Sequence, residues 1–265
     1  MPFPRPTELP QLMVAPNGAR RTKADHPAIP VTIAETVETA IACRDAGAGA
    51  MHFHVRDADQ RHVLDAGLYR EALAELERVV PDMHLQVTTE AVKHYRPEQM
   101  RRMVTELLPP GVSIALTEMM PNRRPDAEDI RLYKMLHEAG TRVQHILFYP
   151  EEARLLAELL EAADLPTDDL WCLFCIGHYT GRVSHPDLIA PFVISAMSHS
   201  LSVDWAICAF AEEENECLAA AVAQGGKIRV GFENSLFMPD GSIAPDNAAR
   251  VAAANRLFAD KGPVF

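Results

Sequence analysis

Two histidines separated by one residue, His52 and His54, are the residues of this sequence best suited to catalytic chemistry. They lie in the apolar run 50–55, which has the length and composition of a β-strand. Side chains two residues apart on a strand point to the same side, so both imidazoles can face one centre. Two histidines and one carboxylate around an open position form a catalytic zinc pattern, and we predict both histidines as metal ligands. The alternative is one histidine packed in the core and one in solvent.

The third metal ligand should be an acid at the end of a neighbouring strand. Glu233 follows the apolar run 228–232, and Glu90 follows the run 83–88. In a closed barrel the last strand lies beside the first, which brings Glu233 within reach of the second strand. We therefore favour Glu233 and keep Glu90 as the competing ligand. Arg229 has the same strand parity as Glu233 and can point inward beneath the site, although a structural ion pair would explain it as well.

The elements that must position these residues follow a regular alternation. Eight apolar runs of strand length alternate with helical patterns, the first of which opens with a Thr32–Glu35 capping box. The runs cover residues 12–15, 50–55, 83–88, 112–116, 143–148, 170–176, 203–208 and 228–232. One such unit per roughly 30 residues predicts an α/β fold, a single (β/α)₈ TIM barrel over residues 1–265. A doubly wound open sheet is the alternative, and the Pro-rich residues 1–10 should form an extended arm.

Barrel enzymes carry their chemistry at the C-terminal ends of the strands. The polar residues that follow the other strands are therefore predicted to line the substrate site: Asn17, Arg20, Thr88, Thr89 and Glu118. Together with Arg56, Arg229 and the predicted zinc ion, Arg20 should make this site locally cationic, which suits a small carboxylate substrate.

The bulk composition excludes several classes of partner. A formal net charge of −12 argues against nucleic acid and anionic membranes. Residues 1–6 lack the features of a signal peptide, and the apolar stretch 188–197 is too short to span a bilayer. The five cysteines are scattered, which favours free thiols and a cytoplasmic location. Cys172 and Cys175 should face opposite sides of one strand, so we interpret them as core thiols, not a redox or zinc motif.

The sequence resembles the β-keto acid cleavage enzyme family, which includes 3-keto-5-aminohexanoate cleavage enzyme. The matching blocks occur in family order over almost the whole chain: 15–19, 24–27 with 29–32, 52–57, 86–89, 205–206 and 228–234. The resemblance implies a (β/α)₈ barrel with catalytic zinc on His52, His54 and Glu233. It also implies condensation of a small anionic β-keto acid with acetyl-CoA as co-substrate, giving acetoacetate and a CoA ester, in a homo-oligomer.

The resemblance assigns further roles, and the sequence departs from two of them. Thr88 matches a hydroxyl that contacts the substrate carboxylate, and Arg229 matches a catalytic arginine that works with an acid just after the metal-binding glutamate. Asn234 stands at that place, unless one residue is missing, and we therefore predict Arg229 and Asn234 as the catalytic residues. An amide cannot act as a base at neutral pH, which puts the proton transfer of the family in doubt. Arg20 stands where the aminohexanoate enzyme carries an acid for the substrate ammonium. An anionic or neutral substrate is therefore expected.

Two more departures concern the loops around the site. Glu90 and Ala91 replace a glycine pair, and residues 177–181 replace a glycine-rich loop, so we expect a different CoA-binding surface. The departures leave two alternatives to β-keto acid cleavage. One is a metal-dependent hydrolase or a different lyase on the same barrel, and the other is a non-catalytic metabolite-binding relative.

Overall fold

The structure, a computed structural model, describes residues 8–177 and 181–259. Eight parallel strands pair in chain order, and the last strand pairs with the first to close a barrel. The strands are β1 Leu12–Val14, β2 Ala50–Phe53, β3 His84–Thr88, β4 Gly111–Ala115, β5 Arg142–Leu147, β6 Leu170–Ile176, β7 Val203–Ala209 and β8 Lys227–Val230. The predicted (β/α)₈ barrel is confirmed, and the open-sheet alternative is excluded. Residues 1–7 of the predicted arm and residues 178–180 of the loop after β6 lie outside the described residues.

Helices follow the strands and form the outer layer. They are α1 Ile33–Asp45, α2 Ala66–Val79, α3 Pro97–Leu107, α4 Leu116–Met119, α5 Ala127–Ala139, α6 Glu152–Ala163, α7 Ile189–Ser198, α8 Glu214–Ala223 and α9 Asn247–Ala259. The predicted capping box opens α1, since Thr32 Oγ1 accepts from the Glu35 amide and the Glu35 carboxylate accepts from the Thr32 amide. The single turn α4 was not predicted, so Glu118 lies on a short helix and not directly at a strand end. Within the described ranges, no helix is long and apolar enough to cross a membrane.

The strands divide their side chains between two packed regions. The larger one lies between the barrel and the helices and includes Cys172 and Phe174 of β6. The smaller one fills the barrel interior and includes Trp171, Leu173 and Cys175 of the same strand. Cys172 and Cys175 therefore face opposite sides as buried free thiols, as predicted. Because apolar side chains fill this part of the barrel interior, the polar site is confined to the C-terminal ends of the strands.

Candidate active site

Three potential metal ligands converge at the C-terminal end of the barrel. His52 lies on β2, and His54 lies just beyond its last residue. The two Nε2 atoms are 3.1 Å apart, and Glu233 Oε2 lies 3.5 Å from His52 Nε2 and 3.4 Å from His54 Nε2. Both histidines are only 1% exposed. The structure thus brings together the three residues that the sequence suggested as ligands.

The spacing of these three atoms fits a tetrahedral zinc ion. Zn–N and Zn–O bonds of about 2.0–2.1 Å place the ligand atoms of a tetrahedral site about 3.3–3.4 Å apart. The three measured distances, from 3.1 to 3.5 Å, bracket that value. Three ligands also leave the fourth position for substrate or water, as in catalytic zinc sites.

Hydrogen bonds outside this triangle fix the protonation of both imidazoles. His62 Nε2 lies 3.1 Å from the carbonyl oxygen of Glu90, which can only accept, so His62 Nε2 donates. His62 Nδ1 then accepts from His54 Nδ1 at 3.4 Å, and His54 Nε2 keeps its lone pair. His52 Nδ1 lies 2.9 Å from Gln86 Oε1, whose amide nitrogen donates to Gln144 Oε1. The lone pairs of His52 Nε2 and His54 Nε2 therefore point toward each other and toward Glu233 Oε2, an arrangement that a bound cation stabilises.

Burial keeps these histidines neutral. It lowers the pKa of His52 to about 4 and the pKa of His62 to about 4, and it lowers the pKa of His54 well below the usual range. The nearby carboxylate of Glu233 opposes these shifts but does not overcome them. Zinc binds neutral imidazole, so the site is ready for the metal at neutral pH.

Glu233 reaches the site through a turn, not through a continuation of β8. The strand ends at Val230, and Gly231 has a φ of +136°, where an added Cβ would lie 2.3 Å from the Ala15 carbonyl oxygen. The parity argument therefore holds for Arg229 but not for Glu233. The Glu233 amide donates to the Ala15 oxygen at 3.0 Å, and Arg229 Nη2 donates to Glu233 Oε1 at 2.8 Å.

The charge of Glu233 depends on these neighbours. Burial alone would raise the pKa of Glu233, but Arg229, His52 and His54 outweigh it and hold the pKa below its usual range. The carboxylate is therefore ionised and ready to bind a cation. Gly18 packs against it, because a Cβ at residue 18 would lie 2.5 Å from Glu233 Cγ.

A pocket opens beside the three ligands. Its volume of ≈ 60 Å³ limits the enclosed part to small ligand groups. Its polar wall comes mainly from the ends of β3 and β4, and its apolar wall comes from β5, β6 and β7. The lining residues are Arg20, His52, Thr88, Thr89, Glu90, Ser113, Ala115, Glu118, Ile146, Phe148, Cys175, Phe210, Arg229 and Glu233. Four of the five predicted substrate residues thus share one pocket.

Hydroxyl groups in this pocket differ in their availability. Ser113 Oγ is buried and has no hydrogen-bond partner among residues 8–177 and 181–259. Thr88 Oγ1 accepts from the Glu90 amide at 3.0 Å and can still donate its own hydrogen. Thr89 Oγ1 donates to the Ser113 carbonyl oxygen at 2.9 Å, so its donor is already used. Ser113 and Thr88 are therefore the hydroxyls best placed to bind a substrate oxygen.

Asn17 and Asn234 lie away from this lining. The Asn17 amide nitrogen donates to the carbonyl oxygens of Pro30 and His54, and its Oδ1 accepts from the His54 amide. These hydrogen bonds let Asn17 hold the backbone of His54, and its predicted substrate contact stays a prediction. Asn234 is 1% exposed, and neither polar atom of its side chain has a hydrogen-bond partner within the described ranges. The structure thus places the predicted catalytic Asn234 in the protein interior.

The arginines alone do not give the site the cationic character that we predicted for the arginines together with zinc. The Arg56 guanidinium donates to the carbonyl oxygens of Asn17, Gly18, Arg21 and Gln60, so it holds the loop after β1. The pocket itself contains two arginines and three carboxyl groups. The described residues alone do not supply an excess of positive charge there.

Glu90 lies between the ligands and the pocket mouth. Its Oε2 is 4.0 Å from His54 Nδ1, and its Oε1 is 3.6 Å from Arg20 Nη2. Burial and the charges of Glu233 and Glu118 raise the pKa of Glu90 to about 8. The distances place Glu90 on the side of His54 Nδ1, the nitrogen that would not bind the metal, and Glu233 on the side of His54 Nε2, the nitrogen that would. This difference favours Glu233 over Glu90 as the third ligand.

Sequence reasoning missed three residues that shape the site. His62 and Gln86 orient the two imidazoles, and Ser113 contributes a free hydroxyl. Strand parity could have found Gln86 and Ser113, because both share an inward-facing parity with Thr88 or Ala115. His62 lies in the irregular segment after β2, where no periodicity predicts the direction of a side chain.

A larger cavity of ≈ 330 Å³ lies elsewhere, between β5, β6, α5 and α6. Arg142 and Asp169 form an ion pair there, with 2.6 Å between Nη2 and Oδ1. In the part of the chain that the structure describes, the cluster of metal-ligating groups is confined to His52, His54 and Glu233. Size alone therefore does not identify the chemical site of this barrel.

Comparisons with known proteins identify the family of the chain. A 3-keto-5-aminohexanoate cleavage enzyme of Fusobacterium nucleatum is 24% identical over 92% of this chain and 89% of its own length. A 3-oxoadipate:acetyl-CoA acetyltransferase of Cupriavidus necator is 23% identical over 95% of this chain and 89% of its own length. The solved structure of ObcA in a binary complex with oxaloacetate shares the fold, with a TM-score of 0.69 and 15% identity. That match covers 87% of this chain and 63% of the ObcA chain. Residues 11–263 match the family described as beta-keto acid cleavage enzyme, and the chain belongs to that family.

Proposed function

We propose that this protein is a zinc-dependent enzyme that cleaves a β-keto acid with acetyl-CoA, giving acetoacetate and a CoA ester. The observation that carries the proposal is the triangle of His52 Nε2, His54 Nε2 and Glu233 Oε2, which opens onto a pocket in a member of this family. The acetyl-CoA reaction of the C. necator relative supports the choice of co-substrate.

Zinc held by these three residues would supply a Lewis acid that stabilises the negative charge of a substrate enolate. Arg229 keeps Glu233 ionised and oriented through their 2.8 Å hydrogen bond. Ser113 and Thr88 offer hydroxyl donors to the substrate carboxylate or keto oxygen. The apolar wall formed by Ile146, Phe148 and Phe210 excludes water from the reacting groups.

Arg20 and a bound zinc ion together would favour an anionic or neutral substrate at the pocket mouth. Arg20 lines the pocket with its side chain 48% exposed, so it can contact a substrate group that extends outward. A substrate ammonium would face this guanidinium at close range, which is unfavourable. We therefore propose a β-keto acid without an amino group, in contrast to the aminohexanoate named for the F. nucleatum relative.

The test is a panel of β-keto acids incubated with acetyl-CoA and the zinc-loaded protein. The panel contains neutral acids, dicarboxylic acids and amino acids of matched length, and acetoacetate and the new CoA ester are quantified together. We expect equal amounts of both products from at least one neutral or dicarboxylic member. An absence of acetoacetate from every member, with zinc stoichiometrically bound, contradicts the proposed reaction.

One observation favours a second candidate. The resemblance places Asn234 where the family carries an acid beside the catalytic arginine, unless one residue is missing, and the Asn234 amide is buried. A metal-dependent hydrolase or a different lyase could act without that acid. Hydrolysis of esters or lactones in the absence of CoA, at a rate that depends on zinc, would select this reading over acetyl-CoA-dependent cleavage.

A further inference from the structure

Two cysteines meet inside the barrel next to the candidate active site. Cys175 of β6 and Cys208 of β7 are directly opposite each other in the parallel register. Their sulfurs are 3.5 Å apart, close enough for a thiol hydrogen bond. Both belong to the interior packed region, and both are free thiols. Cys43 and Cys217 lie on α1 and α8, and Cys172 packs against the helical layer.

The pair is connected to the proposed catalytic groups. Cys175 lines the pocket and its sulfur lies 3.5 Å from Cys208 Sγ, so a small solute that enters the pocket reaches Cys175 and comes close to Cys208, which is not itself a lining residue. Arg229 Nη2 donates to Cys208 Sγ at 3.6 Å and to Glu233 Oε1 at 2.8 Å. One guanidinium nitrogen thus links the Cys208 sulfur to the carboxylate of the candidate metal site.

The surroundings activate one of the two sulfurs. The hydrogen bond from Cys175 lowers the pKa of Cys208, and the charge of Arg229 lowers it further against the effect of burial. The same hydrogen bond and burial raise the pKa of Cys175. Thiolates are the reactive form of cysteine, so the electrostatics favour Cys208 as the nucleophile and Cys175 as the thiol that resolves the product.

We propose that Cys175 and Cys208 form a redox modification site, at which a small peroxide converts the dithiol into a disulfide next to the active site. The Cys208 sulfur attacks one peroxide oxygen, the O–O bond breaks, and water leaves from hydrogen peroxide. The Cys175 sulfur then attacks the resulting sulfenic acid, an S–S bond forms, and a second water leaves. Two thiols lose two electrons and two protons, and one peroxide is reduced to two waters.

The backbone geometry permits this bond. Directly paired residues of neighbouring strands lie at the strand spacing of about 4.7–4.9 Å, within the Cα separation of about 4.4–6.8 Å found in disulfides. The sulfurs must approach from 3.5 Å to bonding distance, which side-chain rotation can provide.

Oxidation should affect the reaction through Arg229. A disulfide sulfur carries no negative charge and is a poorer acceptor than the Cys208 sulfur of the dithiol, so the contact from Arg229 to Cys208 would weaken. The guanidinium that orients Glu233 would then be held less firmly. We expect the oxidised enzyme to be inactive and to recover on treatment with a dithiol reductant. This activity readout rests on the proposed function, but formation of the disulfide does not.

Thiol mapping of the folded, zinc-loaded protein after exposure to hydrogen peroxide tests the proposal. The treated protein is unfolded, its thiols are alkylated, and its peptides are analysed by mass spectrometry. We expect the labelled thiols to fall from five to three, with one linked peptide pair that joins Cys175 to Cys208. Cys208→Ser should abolish the linked pair, and the matched control Cys217→Ser should retain it.

Several results would overturn the proposal. Five labelled thiols after peroxide treatment would show that the pair does not react. A linked pair between other cysteines, or sulfinic acid at Cys208 without a link, would show a different oxidation. Because mapping of the wild-type protein requires no turnover and no substitution, it remains decisive if a variant fails to fold or if no substrate is found.

Discussion

Replacement of His62 by phenylalanine tests whether the hydrogen bonds behind the metal ligands control zinc affinity. His62 Nδ1 accepts from His54 Nδ1 at 3.4 Å, so the substitution leaves that hydrogen without an acceptor when zinc occupies His54 Nε2. In the metal-free protein the proton can move to Nε2 and face Glu233 Oε2 at 3.4 Å. The cost of the lost acceptor therefore affects mainly the zinc-bound state.

The expected loss of zinc affinity follows from this difference between the zinc-bound and the metal-free protein. A buried donor without an acceptor costs about 1–3 kcal/mol, which weakens zinc binding about 5- to 150-fold. Loss of a hydrogen bond behind a metal ligand typically weakens affinity about 10- to 100-fold, which agrees. Competitive titration of zinc against a chelator of known affinity measures the change directly.

His145→Phe is the matched control. His145 is buried and donates from Nδ1 to the Trp171 carbonyl oxygen at 3.0 Å, much as His62 donates to the Glu90 carbonyl oxygen. Both substitutions remove one hydrogen bond to the backbone, but only His62 contacts a proposed metal ligand, His54. If zinc affinity is unchanged in His62→Phe, or falls equally in both variants, the proposed role of His62 is refuted.

Three further predictions use the same structure. Glu233→Gln should lose stoichiometric zinc and Glu90→Gln should retain it in metal analysis, and the opposite result would make Glu90 the third ligand. Burial lowers the pKa of His145 to about 4, below its unfolded value, so the folded state resists protonation. The unfolding free energy should therefore fall as the pH drops from about 6.5 toward 4, by about 1.4 kcal/mol per pH unit for this residue. Urea titrations should show a shallower dependence in His145→Phe. Gly18→Ala should weaken zinc binding because its Cβ would strike Glu233, whereas Gly140→Ala, with a positive φ but open space, should lower only thermal stability.

Periodicity in the sequence was sufficient to predict the barrel. Parallel strands buried on both faces appear as continuous apolar runs, and eight such runs separated by helices leave few other architectures. The predicted strand ends were less accurate at places where the backbone changes direction but the residues stay apolar. At β8 the run 228–232 continues past Val230, but the positive φ of Gly231 turns the chain. At β4 the strand passes directly into the short helix α4, where Glu118 lies.

The candidate ligands could be predicted because their spacing and strand positions are local properties. His52 lies on β2 and His54 just beyond its end, and barrel closure brings Glu233 beside them. The residues that orient them depend on contacts between distant segments, and no pattern in one sequence reports these contacts. Asn17 shows the same limit, since its amide contacts the backbone of His54, 37 residues away.

The charges of the pocket argue for a bound cation independently of the distances. The bulk charge of −12 disfavours an anionic substrate at long range, and the pocket adds three carboxyl groups to two arginines. A carboxylate substrate would therefore meet no net attraction from the protein alone. A divalent cation on His52, His54 and Glu233 would add positive charge to the pocket and give the substrate oxygens a positive centre. Metal removal should thus weaken substrate binding as well as catalysis, and calorimetric titration of a substrate into the metal-free and zinc-loaded protein would separate the two effects.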